Sequence, residues 1–392
     1  MTRPGTLWSP GAAAASAARI VVFLGAVLSL VSCTPGAPAE APPTAEAPPI
    51  EEPVAAPAGR AVEVVLPARG KLAPPVAAGL EARLEALAAG LPEEIDSLVV
   101  RTPDDEAFVP DLLELAAAEG AGLVCALGPQ VADGADRTAV RHGATRVCAM
   151  PVALPVLDDE RTIEPTPAVR VDVPVEELGF LAGVAARTAA RGAVAEADAE
   201  ADAADEEAQP EGSMAEPESA GPRVALLLGG DELPGARFRS GLLEGLGPVE
   251  VIEPATSNAP PGEALEEVLA AGAQVVVVDG GSEAGQIVAA LDGRAEVVGP
   301  VDLWGDDLPP EVALAYRLRW EVIVSVVIDS FAGSDELAGP VLLGTQDEVL
   351  ELAAGPGQVA TLAAVESARS ELAIDDDPRA PLPDEGPRDA VR

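Results

Sequence analysis

The strongest constraint on the fold is a repeated alternation of short, continuous apolar runs with helical patterns. Runs at 61–67 (AVEVVLP), 97–101 (SLVVR), 121–127 (AGLVCAL), 146–150 (RVCAM) and 168–173 read as strands. So do 222–228 (PRVALLL), 249–253, 274–279 (QVVVVD) and 296–301. They are rich in Val and Leu and seldom alternate apolar with polar, which suits parallel strands covered on both faces. Helical patterns lie between them: 75–89, where Val76, Leu80, Leu84 and Leu87 share a face, then 109–120, a polar stretch up to His142, and 176–191. Further helices are expected at 235–246, 263–271, 285–291 and 316–331. Alternation on this scale predicts an α/β protein with doubly wound, open parallel sheets in two lobes.

Composition narrows the function. With 24 Lys+Arg against 66 Asp+Glu, the formal net charge of −42 repels phosphate backbones, so no nucleic-acid partner is expected. His142 is the single histidine, which leaves little for imidazole-based metal or acid–base chemistry. Aromatic residues are 2% of the chain, too few for a site built on several stacking rings. The acidity fits either codon bias with a few acidic segments or a salt-adapted surface, and the sequence leaves both open.

Residues 1–32 read as an export signal. Arg3 and Arg19 are the only charges before residue 40, and the apolar run 20–31 is shorter than the roughly 18 residues that span a bilayer. Leu30-Val31-Ser32-Cys33 resembles the lipobox of bacterial lipoproteins, which implies a lipidated Cys33 and a chain anchored at the extracytoplasmic face of the cell membrane. A plain signal peptide with an incidental cysteine is the alternative. Residues 33–61 read as a tether, since 34–61 hold eight prolines among Ala, Glu and Thr. Residues 195–220, with ten acids and no bases, read as a disordered insertion, and 375–392 as a disordered tail. Lobe 1 is then expected over 62–174 with part of 311–333, and lobe 2 over 175–310 with part of 334–374. The crossings are expected near 174–176 and 301–311.

Several motifs in order resemble one family. Gly179-Phe180-Leu181-Ala182-Gly183 opens a helix, and Gly229-Gly230 precedes Phe238-x-x-Gly241-Leu242-x-x-Gly245. Gly272-Ala273-Gln274-Val275-Val276-Val277, Gly280-Gly281, Gly285 and Val298-Gly299-x-Val301-Asp302 follow, and 311–327 is similar to the family's final helix. With the lipobox, these resemble the basic membrane protein lipoproteins, the PnrA-like nucleoside-binding proteins of ABC transporters. The resemblance covers most of 120–353. It implies a type I periplasmic-binding fold, a small-molecule solute as ligand, an ABC permease as partner, and neither catalysis nor a cofactor. The loop 67–75 departs from the family, which there has an aspartate and a Phe–Asn pair; this chain has no aromatic, Asn or acid in it. A degenerate homologue acting as an envelope scaffold or sensor partner is the second reading.

Ligands of open α/β sheets bind at the carboxyl ends of the strands. That rule selects Gly128, Asp231, Asp279, Gly280, Asp302 and Trp304 as candidate ligand-binding residues; Arg237 and Arg319 join them as partners for an anionic ligand, with surface pairing as their ordinary explanation. Asp302 leads, because a carboxylate accepts hydrogen bonds from sugar or ribose hydroxyls; a strand-end cap is its structural alternative. Asp279-Gly280-Gly281 is also ordinary turn chemistry. Trp304 suits a flat ligand but equally packing between lobes. Cys125 and Cys148 fall in consecutive strands; an exported protein could bond them, but buried thiols are the favoured expectation, because neighbouring parallel strands seldom offer disulfide geometry. Neither a nucleophile elbow nor a phosphate-cradling loop is present in the sequence.

Overall fold

The structure is a computed structural model that describes residues 60–128, 131–151, 166–208, 221–228, 235–255, 259–305, 307–333 and 341–375. The expected signal, Cys33, most of the tether, Asp231, 209–220 and most of the tail lie outside the described residues. The first sheet begins with β1 (Ala61–Val65), followed by α1 (Pro74–Leu87), β2 (Ser97–Arg101), α2 (Val109–Ala118), β3 (Leu123–Leu127), α3 (Ala132–Arg141), β4 (Arg146–Met150) and β5 (Val169–Asp172). The chain then crosses into α4 (Val175–Ala208), β6 (Arg223–Leu227), α5 (Gly235–Leu246), β7 (Glu250–Ile252), α6 (Pro261–Ala270), β8 (Val275–Val278), α7 (Ala284–Leu291), β9 (Glu296–Pro300) and β10 (Val312–Leu318). It finishes with α8 (Trp320–Gly333), β11 (Val341–Leu342), β12 (Leu350–Ala353) and α9 (Val359–Asp375).

Two six-stranded sheets result, in the orders β11-β5-β4-β3-β1-β2 and β12-β10-β9-β8-β6-β7. The first five strands of each half follow the same doubly wound order, and every pairing is parallel except β10 with β12. Both sheet faces are buried, as the unbroken apolar runs require. In the first sheet, Val65, Val124 and Ala126 pack against Leu113 and Ala116 of α2 on one side. Val64, Cys125 and Met150 meet Leu80 and Leu84 of α1 on the other. In the second, Val276 and Val278 face α6 and α7, while Val275 and Val277 face α4 and α5.

The chain passes between the sheets three times: between β5 and α4, at Arg319 between β10 and α8, and between β11 and β12. The second crossing comes later than the expected 301–311. The cause is local. Val312–Leu318, of which the last three residues were expected to open a helix, is a buried strand of the second sheet, and the helix starts only at Trp320. The acidic segment differs too. Residues 195–208, expected to be disordered, continue α4 as helix. Alternating Ala with Glu and Asp, and no Gly or Pro before Pro210, let the helix propagate from a packed first half. From Arg191 to Glu200 it has no buried residue.

The glycines that carry the family resemblance form one contact. A Cβ on Gly179 would lie 2.0 Å from the Phe238 carbonyl oxygen, and one on Gly183 2.3 Å from that of Leu242. Reciprocally, a Cβ on Gly241 would lie 1.9 Å from the Glu176 carbonyl oxygen, and one on Gly245 2.1 Å from that of Phe180. The two motifs are thus the two faces of the α4–α5 crossing, within lobe 2 and not at the lobe junction. They specify backbone approach between helices.

Cys125 and Cys148 form a disulfide with a Cα separation of 4.5 Å, which corrects the expectation of free thiols. The parallel register pairs Cys125 directly with Cys148, and the direct pairing puts both on one sheet face.

Glu296, at the start of β9, gives a pH-dependent expectation. Burial, with the nearby Glu196 carboxylate adding to it, raises its pKa above the usual glutamate value, and the Gln358 amide, 2.8 Å away, offsets this in part. A raised folded-state pKa means stability that is full below the unfolded value, about 4.3, and lost as pH rises through the folded value. Glu296→Gln keeps an acceptor for Gln358 and removes the buried charge. Its melting temperature is expected above wild type at pH 7 and equal to it near pH 4; an unchanged difference across that window would refute the assignment.

Candidate functional site

Both sheets direct the carboxyl ends of their strands toward one cleft. From lobe 1, the loop after β1 supplies Pro67 and Leu72, α1 supplies Val76, Leu80 and Arg83, and β3 ends at Leu127. From lobe 2 come Gly280 after β8, Pro300 and Asp302 at the end of β9, and Tyr316 and Arg317 of β10; Trp320 stands just after the second crossing. The cavity between them is about 80 Å³. Most of its walls are aliphatic, and the polar wall is Arg83, Asp302 and Arg317.

The lobes touch across this cleft. Leu72 and Gly281 form an isolated antiparallel bridge, and the Ala73 N–H donates to the Gly280 carbonyl at 2.9 Å. The Arg83 guanidinium donates to both oxygens of Asp302, at 2.7 and 3.1 Å. Arg317 Nη1 lies 3.6 Å from Asp302 Oδ1 and also pairs with Glu351. Glu321 sits 3.6 Å from Arg83 Nε and 3.3 Å from Arg319 Nε. Arg83, Arg317 and Arg319 therefore face Asp302, Glu321 and Glu351, a charge-balanced network that spans the lobes. Gly79 admits Asp302 to α1, since a Cβ there would sit 2.7 Å from Oδ1.

Of the residues selected from sequence, the cavity brings together Gly280 and Asp302. The other described ones stand elsewhere. Gly128 ends β3 with its N–H on the Met150 carbonyl, 2.9 Å away. Arg237 pairs with Asp172 at 2.5 Å, bridging α5 to the end of β5 beside the first crossing. Asp279 is buried and accepts the Gly281 N–H at 2.9 Å, an Asx turn. Trp304 packs within lobe 2, where a Cβ on Gly299 would lie 3.2 Å from its ring. Arg319 contacts Glu321 and the Glu348 carbonyl.

Sequence reasoning missed Arg83, Tyr316, Arg317 and Trp320. Arg83 carried a readable signal: it is seven residues after Val76 and three after Leu80, so an arginine interrupts the apolar stripe of α1. Tyr316 and Arg317 were hidden by placing them in a helix. The Tyr316 hydroxyl donates to the Val278 carbonyl at 2.9 Å, and burial pushes its pKa well above the usual tyrosine value, with Asp279 adding to the effect. It serves as a core strut whose ring edges the cleft. Among the described residues no group of three or more His, Cys, Asp or Glu is placed to hold a metal ion.

No protein-family model matches the sequence, and no curated protein matches it. Solved structures do match. An ABC transporter solute-binding protein from Aeropyrum pernix K1 is 19% identical, with a TM-score of 0.52, covering 80% of this chain and 86% of its own. Another from Conexibacter woesei DSM 14684 is 16% identical, with a TM-score of 0.51 over 80% and 96%. A transcriptional activator of the comK gene from Bacillus halodurans is 13% identical, with a TM-score of 0.53 over 79% and 96%. At these identities the likeness establishes the fold, the paired α/β lobes of periplasmic-binding-protein-like structures, and that fold is shared by proteins of different function. The narrower resemblance to basic membrane protein lipoproteins rests on the sequence motifs alone.

Proposed function

We propose that the chain is a solute-binding lipoprotein that captures a small molecule between its lobes and hands it to an ABC permease at the extracytoplasmic face of the membrane. The observation that carries this reading is the cavity at the carboxyl ends of both parallel sheets, lined from both lobes and beside the second of three crossings that can act as a hinge. The Cys125–Cys148 disulfide supports an oxidising compartment. The lipobox at Cys33 supports anchoring. A volume of about 80 Å³ is far below the roughly 300–1,000 Å³ usual for ligand pockets, which favours a small solute over a nucleoside.

One observation favours a second reading, a scaffold or sensor partner that no longer transports. Asp302 is engaged by Arg83, and the 67–74 loop is docked on lobe 2, so the protein's own groups hold the lobes together.

A thermal-shift panel of nucleosides, sugars, amino acids and short carboxylates separates the two. Stabilisation by a member of the panel, growing with its concentration, is expected for a receptor; a flat response across all classes would support the scaffold. For the anchor, Cys33→Ser is expected to move the protein from the membrane to the soluble fraction, and unchanged retention would refute lipidation.

A further inference from the structure

Resting on that solute-binding reading, we propose that the cleft takes a short aliphatic carboxylate. The walls exclude the polyhydroxylated classes first. Sugars and nucleosides need several hydrogen-bonding side chains converging on their hydroxyls. Leu72, Val76, Leu80 and Leu127 offer none, and the Tyr316 hydroxyl is already committed to Val278. Size sets the second limit. A cavity of about 80 Å³ is about half of the 150 Å³ that holds a benzene ring, which leaves room for a body of about three to five non-hydrogen atoms.

The polar wall fixes the head group. Of the charges lining the cavity, Arg83 and Arg317 are positive and Asp302 negative, so the lining carries one net positive charge in a chain of −42. Glu321 and Glu351 balance it only from behind, in contact with Arg83 and Arg317. Arg317 reaches the cavity with its guanidinium only loosely held by Asp302, at 3.6 Å. Guanidinium donors match a carboxylate better than any neutral head, because both partners are charged. A solute carboxylate beside Arg317, its aliphatic body against Leu72, Val76 and Leu80, answers the charge and the walls together, and leaves the Arg83–Asp302 clasp in place.

The test uses the full-length protein in detergent micelles, its melting followed by intrinsic tryptophan fluorescence at constant ionic strength. The probes are propionate, its neutral isostere propionamide, glucose and adenosine. Propionate is expected to raise the melting temperature at millimolar concentration, with propionamide at least about tenfold weaker and Arg317→Met losing at least about tenfold in affinity. Stabilisation by glucose or adenosine without propionate would overturn the carboxylate assignment and leave the solute-binding reading standing. A flat response to all four probes, with a flat response to the wider panel, would sink both. If Arg317→Met melts early on its own, the propionate-to-propionamide ratio on the wild-type protein decides, and a ratio near one overturns the proposal.

Discussion

Gly241→Ala is expected to lower stability by roughly 3 kcal/mol, the upper part of the range for overpacked contacts. The added methyl would sit 1.9 Å from the Glu176 carbonyl oxygen, and that oxygen is backbone, fixed within α4. The helices would have to part along their whole crossing, because Gly179, Gly183 and Gly245 bring other pairs of backbones equally close. For a body of this size, the melting temperature should fall by roughly 6–12 °C. Gly192→Ala supplies the control. It lies on the same helix with nothing within 4 Å of an added Cβ, so it should be neutral or stabilising by about 0.5–1 kcal/mol, the ordinary Gly-to-Ala gain in a helix. Equal effects at the two positions, read by thermal melting, would show that the α4–α5 contact is not as close as described. Gly179→Ala combined with Gly241→Ala should cost less than the sum, since both relieve through the same separation.

Removing the disulfide is the other large effect. Cys125 and Cys148 are 23 residues apart, and opening a loop of that size costs roughly 3 kcal/mol in chain entropy. Cys125→Ala with Cys148→Ala is expected to lower the melting temperature by roughly 6–12 °C while the sheet order is kept, because β3 and β4 remain paired along their length. Thiol titration of the denatured, unreduced Cys33→Ser chain should find no free thiol; two would contradict the bond.

The sequence was most legible where one layer of structure decides the matter. The strand 146–150 and the helix 235–246 fall where the apolar pattern places them. The paired lobes followed from alternation alone. What was not legible depends on contacts between distant segments. VALAYRL at 312–318 is separated from α8 by Arg319 alone, with no Gly, Pro or turn residue between them, so only its pairing with β9 and β12 marks it as a strand. The disulfide was unreadable because its geometry is fixed by register, and a slip of one residue would put the two cysteines on opposite faces. Asp302 was selected for its place at a strand end, and its partner Arg83 is 219 residues away. Arg317 was lost with the strand that carries it. Of the cleft lining, Gly280 and Asp302 were named from sequence, while Arg83 and Arg317 required the fold.

The central claim is that one solute site lies between the lobes and is made by both. Hydrogen–deuterium exchange with and without a stabilising solute, propionate first, tests it most directly. The account predicts slowed exchange at 67–83 in lobe 1 and at 279–281 and 302–304 in lobe 2, appearing together at the same solute concentration. Protection confined to one lobe, or at segments away from the cleft, would contradict it.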